Sequence, residues 1–283
     1  MNEKSPPKTP AISTWLHEAT IELAGAGIGS AKLDAEIILA HTIKQSRTFL
    51  HSHGDDPLTD RQLEIADARL QLRLDRTPVA YIIGHKEFYG RLFRTTPATL
   101  IPRPETEEMI TFLKDVVPKN RSLLPSKMRL IDIGTGSGCI GITAKLELPE
   151  LDVTLSDVSR HALNVATINA KKLHADVTIQ QSNLLDDYPF SPDYILANLP
   201  YVDPSWSRSP ETNYEPEQAL FAGENGLHLI RLLITQTAMR ASKGAYLLLE
   251  ADPRQHDAII AFAKEHGLLF SAIRGFIVAL TKS

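Results

Sequence analysis

A single cysteine, Cys139, is the only thiol in this 283-residue chain, which excludes an internal disulfide framework and any multi-cysteine zinc site. Long hydrophobic runs are missing too: none approaches the ~20 residues that span a bilayer. Residues 1–10 are polar and contain three prolines, with none of the apolar core of a signal peptide, so they read as a frayed tail. An excess of positive charge is also lacking. Thirty Lys and Arg face 34 Asp and Glu, for a formal net charge of −4. That excludes broad attraction to nucleic acid, though not a local basic patch. No internal repeat interrupts the pattern. These absences predict a protein of a reducing compartment, the cytoplasm, without a membrane anchor.

What is present is ordinary for a globular chain: 43% hydrophobic and 23% charged residues, with length enough for two domains. The front, residues 1–80, has helical periodicity throughout. A first helix is expected from an N-cap at Ser13 through Trp15, Leu16, Ala19 and Leu23. A second is expected from Ser30 through Ile37, Ile38 and His41, with Asp34 and Glu36 favouring its positive end. Residues 51–57 read as a polar loop, and their His51-x-His53 pair lacks a third metal ligand. A third helix opens at Thr59 with Leu63, Ala66, Leu70 and Leu74 on one face. Residues 81–100 change character, and Gly90 between aromatic residues predicts a β-hairpin linking two domains.

From residue 101 to 283 strands and helices alternate, which argues for a doubly wound, mostly parallel α/β sheet with an antiparallel edge. Its organising stretch is Leu130-Ile-Asp-Ile-Gly-Thr-Gly-Ser-Gly-Cys-Ile-Gly141, an apolar strand, a glycine turn and a helix. Such a turn lets a ligand approach the backbone with no Cβ in the way. Gly136-x-Gly138-x-x-Gly141 fits the dinucleotide fingerprint, whereas Gly134-x-Gly136-x-Gly138 suits S-adenosylmethionine. Asp157 ends the next strand, 19 residues after Gly138, at the spacing of an acid that accepts ribose hydroxyls; it also reads as a helix cap. Both cofactors carry that ribose.

Asn198-Leu199-Pro200-Tyr201 follows a later strand. The Asn198 carboxamide and the Leu199 carbonyl together offer two acceptors, enough for both protons of a planar NH2 group. Pro200 holds Leu199 extended, and Tyr201 supplies a ring to lie against a flat amide or base. A strand-ending turn with a buried tyrosine is the plainer alternative. Behind a glycine turn and a ribose acid in this order, a receptor for an amide or exocyclic amine is the better account.

The order Asp-x-Gly-Thr-Gly-x-Gly, strand-end Asp, then Asn-x-Pro-Tyr is similar to that of class I S-adenosylmethionine-dependent amino-methyltransferases. Together with Thr99-Leu-Ile-Pro-Arg-Pro-Glu-Thr-Glu107 and the helical front, the chain resembles the peptide chain release factor glutamine N5-methyltransferases, the HemK/PrmC family. Also similar are Ser46-Arg-Thr-Phe-Leu50, Phe88-Tyr89, Phe93, Glu215-Pro216 and Ala219-Leu220. The resemblance implies a Rossmann-like methyltransferase sheet behind a small substrate-binding helical domain. It implies S-adenosylmethionine held by Gly134, Thr135, Gly136, Ser137 and Gly138, with Asp157 on the ribose. Asn183, where the family usually has an acid, and Leu184 would meet the adenine. Asn198 and Tyr201 would act on the glutamine of a release factor's Gly-Gly-Gln loop, with Leu199 and Pro200 beside them and Arg103 and Glu105 shaping the entrance.

Two departures stand out. The second residue of the tetrapeptide is Leu199 where the family usually has proline, and the closing hairpin at 273–276 is short. Asn-Leu-Pro-Tyr also occurs among ribosomal RNA adenine dimethyltransferases. Methylation of a ribosomal-protein glutamine, adenine N6-methylation and a catalytically weak binding module therefore remain as alternatives. The acid balance counts against direct nucleic-acid binding, and a dehydrogenase would leave Asn198 unexplained.

Overall fold

Alternation of side chains along the strands determines where everything else sits. The structure, a computed structural model, describes residues 9–120, 128–203, 205–221, 223 and 225–283; most of the expected N-terminal tail, residues 1–8, lies outside the described residues. The chain divides into two compact units, Met1–Gly84 and His85–Ser283.

The first unit is helical: α1 (Ile12–Gly25), α2 (Ala31–Ile43), α3 (Arg47–Ser52), α4 (Asp60–Leu74) and α5 (Val79–Ile83). Trp15, Leu23, Ile38, Leu39 and Leu70 form its core. Thr59 opens α4 with a reciprocal capping box to Gln62, as the sequence suggests. Elsewhere tertiary partners override local signals. Ala11, not Ser13, occupies the cap position of α1. Ser30 precedes α2, but its hydroxyl donates to Asp34 instead of capping the helix. Asp34 and Glu36 are buried ion-pair partners of Arg73 and Arg47 and do not face solvent at a helix end. The predicted polar loop begins inside α3, which Ser46 caps. His51 there lies 3.4 Å from Glu36, and the His53 ring stacks on Phe49.

The second unit opens with the hairpin β1 (His85–Phe88) and β2 (Arg91–Arg94). A 3-10 turn at Pro104–Thr106 leads into α6 (Glu107–Asn120). Then follow β3 (Arg129–Ile133), α7 (Cys139–Glu147), β4 (Asp152–Asp157), α8 (Arg160–Lys172), β5 (Thr178–Gln181) and β6 (Tyr194–Ala197). A short α9 (Glu217–Leu220) precedes α10 (His228–Arg240), β7 (Tyr246–Glu250), α11 (His256–Glu265), β8 (Leu268–Arg274) and β9 (Ile277–Lys282). The sheet order is β5-β4-β3-β6-β7-β9-β8. β3, β4, β5, β6 and β7 are parallel, while β9 runs antiparallel to both β7 and β8.

Each face of this sheet carries its own core. Leu130, Val153, Leu155, Tyr194, Leu196 and Leu248 pack with α6, α7 and α8. Ile131, Ile133, Ile195, Leu247 and Leu249 pack with α10 and α11. Successive residues of a strand point to opposite faces, so Asp132, Asn198 and Glu250, each two residues past Leu130, Leu196 and Leu248, fall on the α6–α8 side. The hairpin contributes Phe88 and Phe93 to that same core. Its position is fixed further by Asn169, fully buried, which accepts from the Arg94 amide and donates to the Arg94 and Ser137 carbonyls.

Candidate active site

Parallel strands gather ligands at their carboxyl ends, beside the point where the chain reverses direction across the sheet. Here that point lies between β3 and β6, and a cavity of about 210 Å³ opens there. Its floor is the glycine turn. Gly134, Gly136 and Gly138 all have positive φ, which is why no side chain bearing a Cβ suits them. Gly141, one turn into α7, has a different reason: an added Cβ would stand 2.3 Å from Leu155 Cδ2 and 2.9 Å from Asp132 Cβ.

Asp132 ties the turn from beneath. Its Oδ2 accepts from the Thr135 hydroxyl at 2.5 Å and from the Gly141 amide at 2.8 Å, while its buried Oδ1 has no hydrogen-bond partner. Burial pushes its pKa up to about 7 against the pull of those two hydrogen bonds. Asp157 closes the turn from the side: Oδ2 accepts from the Gly136 amide at 2.9 Å and Oδ1 from the Ser159 amide at 2.8 Å. Ser159, not Asp157, caps α8 with its side chain. A carboxylate has about four acceptor positions, so after two backbone bonds Asp157, in the cavity wall, retains capacity for a vicinal diol. Burial raises its pKa as well. Cys139 at the start of α7 is buried, which pushes its thiol up to about 12, so the helix end does not acidify it.

Of the residues singled out from sequence, Gly134, Thr135, Gly136, Ser137, Asp157, Asn183, Leu184, Asn198, Leu199, Pro200 and Arg103 line the cavity. Gly138 caps α7 just beneath it. Leu199 lies against the turn, its Cδ2 3.1 Å from where a Gly134 Cβ would be. Leu184 adopts a left-handed backbone, φ 52°, and Asn183 donates to Asp186 at 3.2 Å. Glu105 is exposed on its 3-10 turn, and Tyr201 is half-buried beside the α10–α11 core; neither is part of the cavity wall.

Tyr201 instead joins a network that the sequence reading missed. Its hydroxyl donates to Glu250 Oε1 at 3.2 Å. Thr106 donates to Glu250 Oε2 at 2.6 Å, and Asn198 Nδ2 donates to the Thr106 hydroxyl at 3.3 Å. Burial raises the Glu250 pKa, opposed chiefly by the hydrogen bonds from Thr106 and Tyr201. The Tyr201 hydroxyl is pushed up in turn, by burial first and then by the Glu250 charge. Glu250 ends the apolar run of β7, and nothing local in the sequence joins it to Asn198. A second clamp explains the segment around Arg103: buried Glu215 accepts from the Ile101 amide at 3.1 Å and from Arg103 at 2.5 Å.

Comparison with known proteins agrees with this architecture. A family model described as the PrmC N-terminal domain matches residues 14–84, and one described as the methyltransferase small domain matches residues 111–212. A release factor glutamine methyltransferase of Koribacter versatilis is 35% identical over 82% of this chain and 84% of its own length. Another, from Salmonella typhimurium, is 36% identical over 89% of this chain and 90% of its own. A solved methyltransferase from Pyrococcus furiosus is 15% identical, with a TM-score of 0.52 over 77% of this chain and 98% of that one, and shares the fold. The chain belongs to the release factor glutamine methyltransferase family.

Proposed function

We propose that this methyltransferase moves a methyl group from S-adenosylmethionine to the side-chain amide nitrogen of the glutamine in a release factor's Gly-Gly-Gln loop. The observation that carries the reading is the position of Asn198: it sits in the wall of the cavity that the glycine turn and Asp157 also line. The residues suit the donor. Gly136 leaves open space, since an added Cβ would meet only the Gly134 carbonyl oxygen, at 3.9 Å, and Asp157 keeps acceptor capacity for ribose hydroxyls.

When bound, S-adenosylmethionine supplies a methyl carbon on a sulfonium, a good leaving group. The protein's task is then orientation, which can supply much of the rate. Asn198 Oδ1 and the Leu199 carbonyl accept the two protons of the glutamine NH2, raising electron density at a nitrogen whose lone pair is otherwise delocalised. Held this way, the amide nitrogen would take the methyl carbon that the sulfonium gives up, and the surplus amide proton would pass to solvent.

The test is transfer of labelled methyl to purified release factor, with ribosomal RNA as a parallel acceptor. Labelling of the factor, abolished by Gln→Ala in its acceptor loop, is the expected result. Equal labelling of that mutant, or labelling of RNA alone, would sink the assignment.

A further inference from the structure

The network behind Asn198 has a polarity. Glu250 is 2% exposed and both of its oxygens receive hydroxyl donors, Tyr201 on Oε1 and Thr106 on Oε2. While Glu250 is ionised it only accepts, and a threonine hydroxyl has one proton. With that proton committed to Glu250, the Thr106 oxygen can take part in a further bond only as an acceptor. It therefore selects the NH2 end of the Asn198 amide, at 3.3 Å, and turns Oδ1 away from itself. We infer that Thr106 and Glu250 are positioning residues that fix the Asn198 amide with its oxygen, not its nitrogen, presented to the acceptor substrate.

The inference rests on the proposed function for what the oxygen meets, but not for the orientation itself. Without it, the Asn198 amide has two nearly isosteric orientations, and the flipped one would present donors to the two protons of the substrate amide. The three residues come from distant parts of the chain. Alternation of the strands brings Asn198 and Glu250 to one face, and the parallel pairing of Leu196 with Leu248 sets them side by side. The Pro104–Thr106 turn delivers the hydroxyl to that face. Thr106, Tyr201 and Asn198 act on Glu250 as hydrogen-bond donors that favour its charged form, against the desolvation and the Glu105 charge that raise its pKa.

Three variants of the full chain test this: Thr106→Val, Thr106→Ser and Glu250→Gln, the last of which puts a donor at position 250, where the carboxylate offered only acceptors. With release factor as acceptor, Thr106→Val and Glu250→Gln are expected to lower kcat by on the order of ten- to a hundredfold. The Kd for S-adenosylmethionine should stay within about threefold, and Thr106→Ser should retain most of the turnover because it keeps the hydroxyl. A second readout needs no acceptor. In the 15N spectrum of the protein, the Asn198 side-chain amide is identified by its disappearance in Asn198→Asp. Slow proton exchange of that amide in the native protein and in Thr106→Ser, and fast exchange in Thr106→Val, supports the inference. Unchanged exchange in Thr106→Val overturns it, as does native turnover in that variant or loss of turnover in Thr106→Ser. Should the native protein leave release factor unlabelled, the proposed function falls while the exchange measurement still decides the orientation.

Discussion

Two aspartates bracket the glycine turn, and they are expected to answer to different measurements. Asp157 accepts backbone amides and keeps acceptor capacity towards the cavity, so Asp157→Ala should weaken S-adenosylmethionine binding by about tenfold or more, read by calorimetry. Unchanged affinity would reduce Asp157 to a loop-holding residue. Asp132 is fully buried and acts through stability. Its pKa rises from 3.8 unfolded to about 7 folded, so between those values the folded chain binds a proton that the unfolded chain does not. Stability from this group is therefore full below pH 4, falls as pH rises, and levels off above about 7, a change of about 4 kcal/mol at most. Asp132→Asn keeps an acceptor for Thr135 and Gly141 and has nothing to titrate. Urea unfolding from pH 4 to 8 should show the native protein losing stability relative to this variant; parallel curves would mean Asp132 is ionised throughout.

The placement of Gly134, Gly136, Asp157 and Asn198 at one cavity was legible in sequence because strand ends follow from local spacing. The hydrogen-bond partnerships of Thr106, Glu250, Glu215 and Asn169 were not. Their partners lie 32 to 144 residues away, and nothing in a single strand or helix marks a buried threonine as a hydrogen-bond relay. Asp34 stands in the first turn of α2 as expected, but the ion pairs that bury it and Glu36 come from Arg73 on α4 and Arg47 on α3 and leave no mark on α2 itself.

Among the elements, the strand–turn–helix unit is held by contact as much as by conformation. β3 and α7 approach closely because Gly141 has no side chain. Gly141→Ala must push Leu155 and Asp132 aside, and overpacking of this kind costs about 1–3 kcal/mol. The urea midpoint should drop accordingly, and S-adenosylmethionine affinity should fall with it because Asp132 and the turn move together. An unchanged midpoint would show that Leu155 swings away freely. Strand β6 is readable from the apolar run Tyr194–Ala197. The short α5 and α9 and the early start of α3 are not, since one to two turns leave little periodicity to detect.

For the whole molecule, the division at Gly84 separates the cavity from one of the chain's costliest features. Arg73 and Asp34 form an ion pair at 2.7 Å with both side chains almost entirely buried. Removing one partner leaves a buried charge uncompensated, at a cost of about 3–5 kcal/mol. Arg73→Met should therefore destabilise Met1–Gly84 by about that much in urea. Every residue lining the cavity falls between 98 and 229, so S-adenosylmethionine affinity should not change; a parallel loss of affinity would show that the two units are energetically coupled.

The order in which the sheet is completed also bears on how this protein is made. β9 lies between β7 and β8 yet follows both in the chain. A chain synthesised from its N-terminus thus makes β7, with its apolar Leu247, Leu248 and Leu249, before the strand that covers its edge, and makes β8 before it has any neighbour. Unpaired apolar edges are where nascent chains pair with one another. The interval before β9 is available is when this protein most needs shelter from its own copies, and a late-acting chaperone would serve it better than an early one.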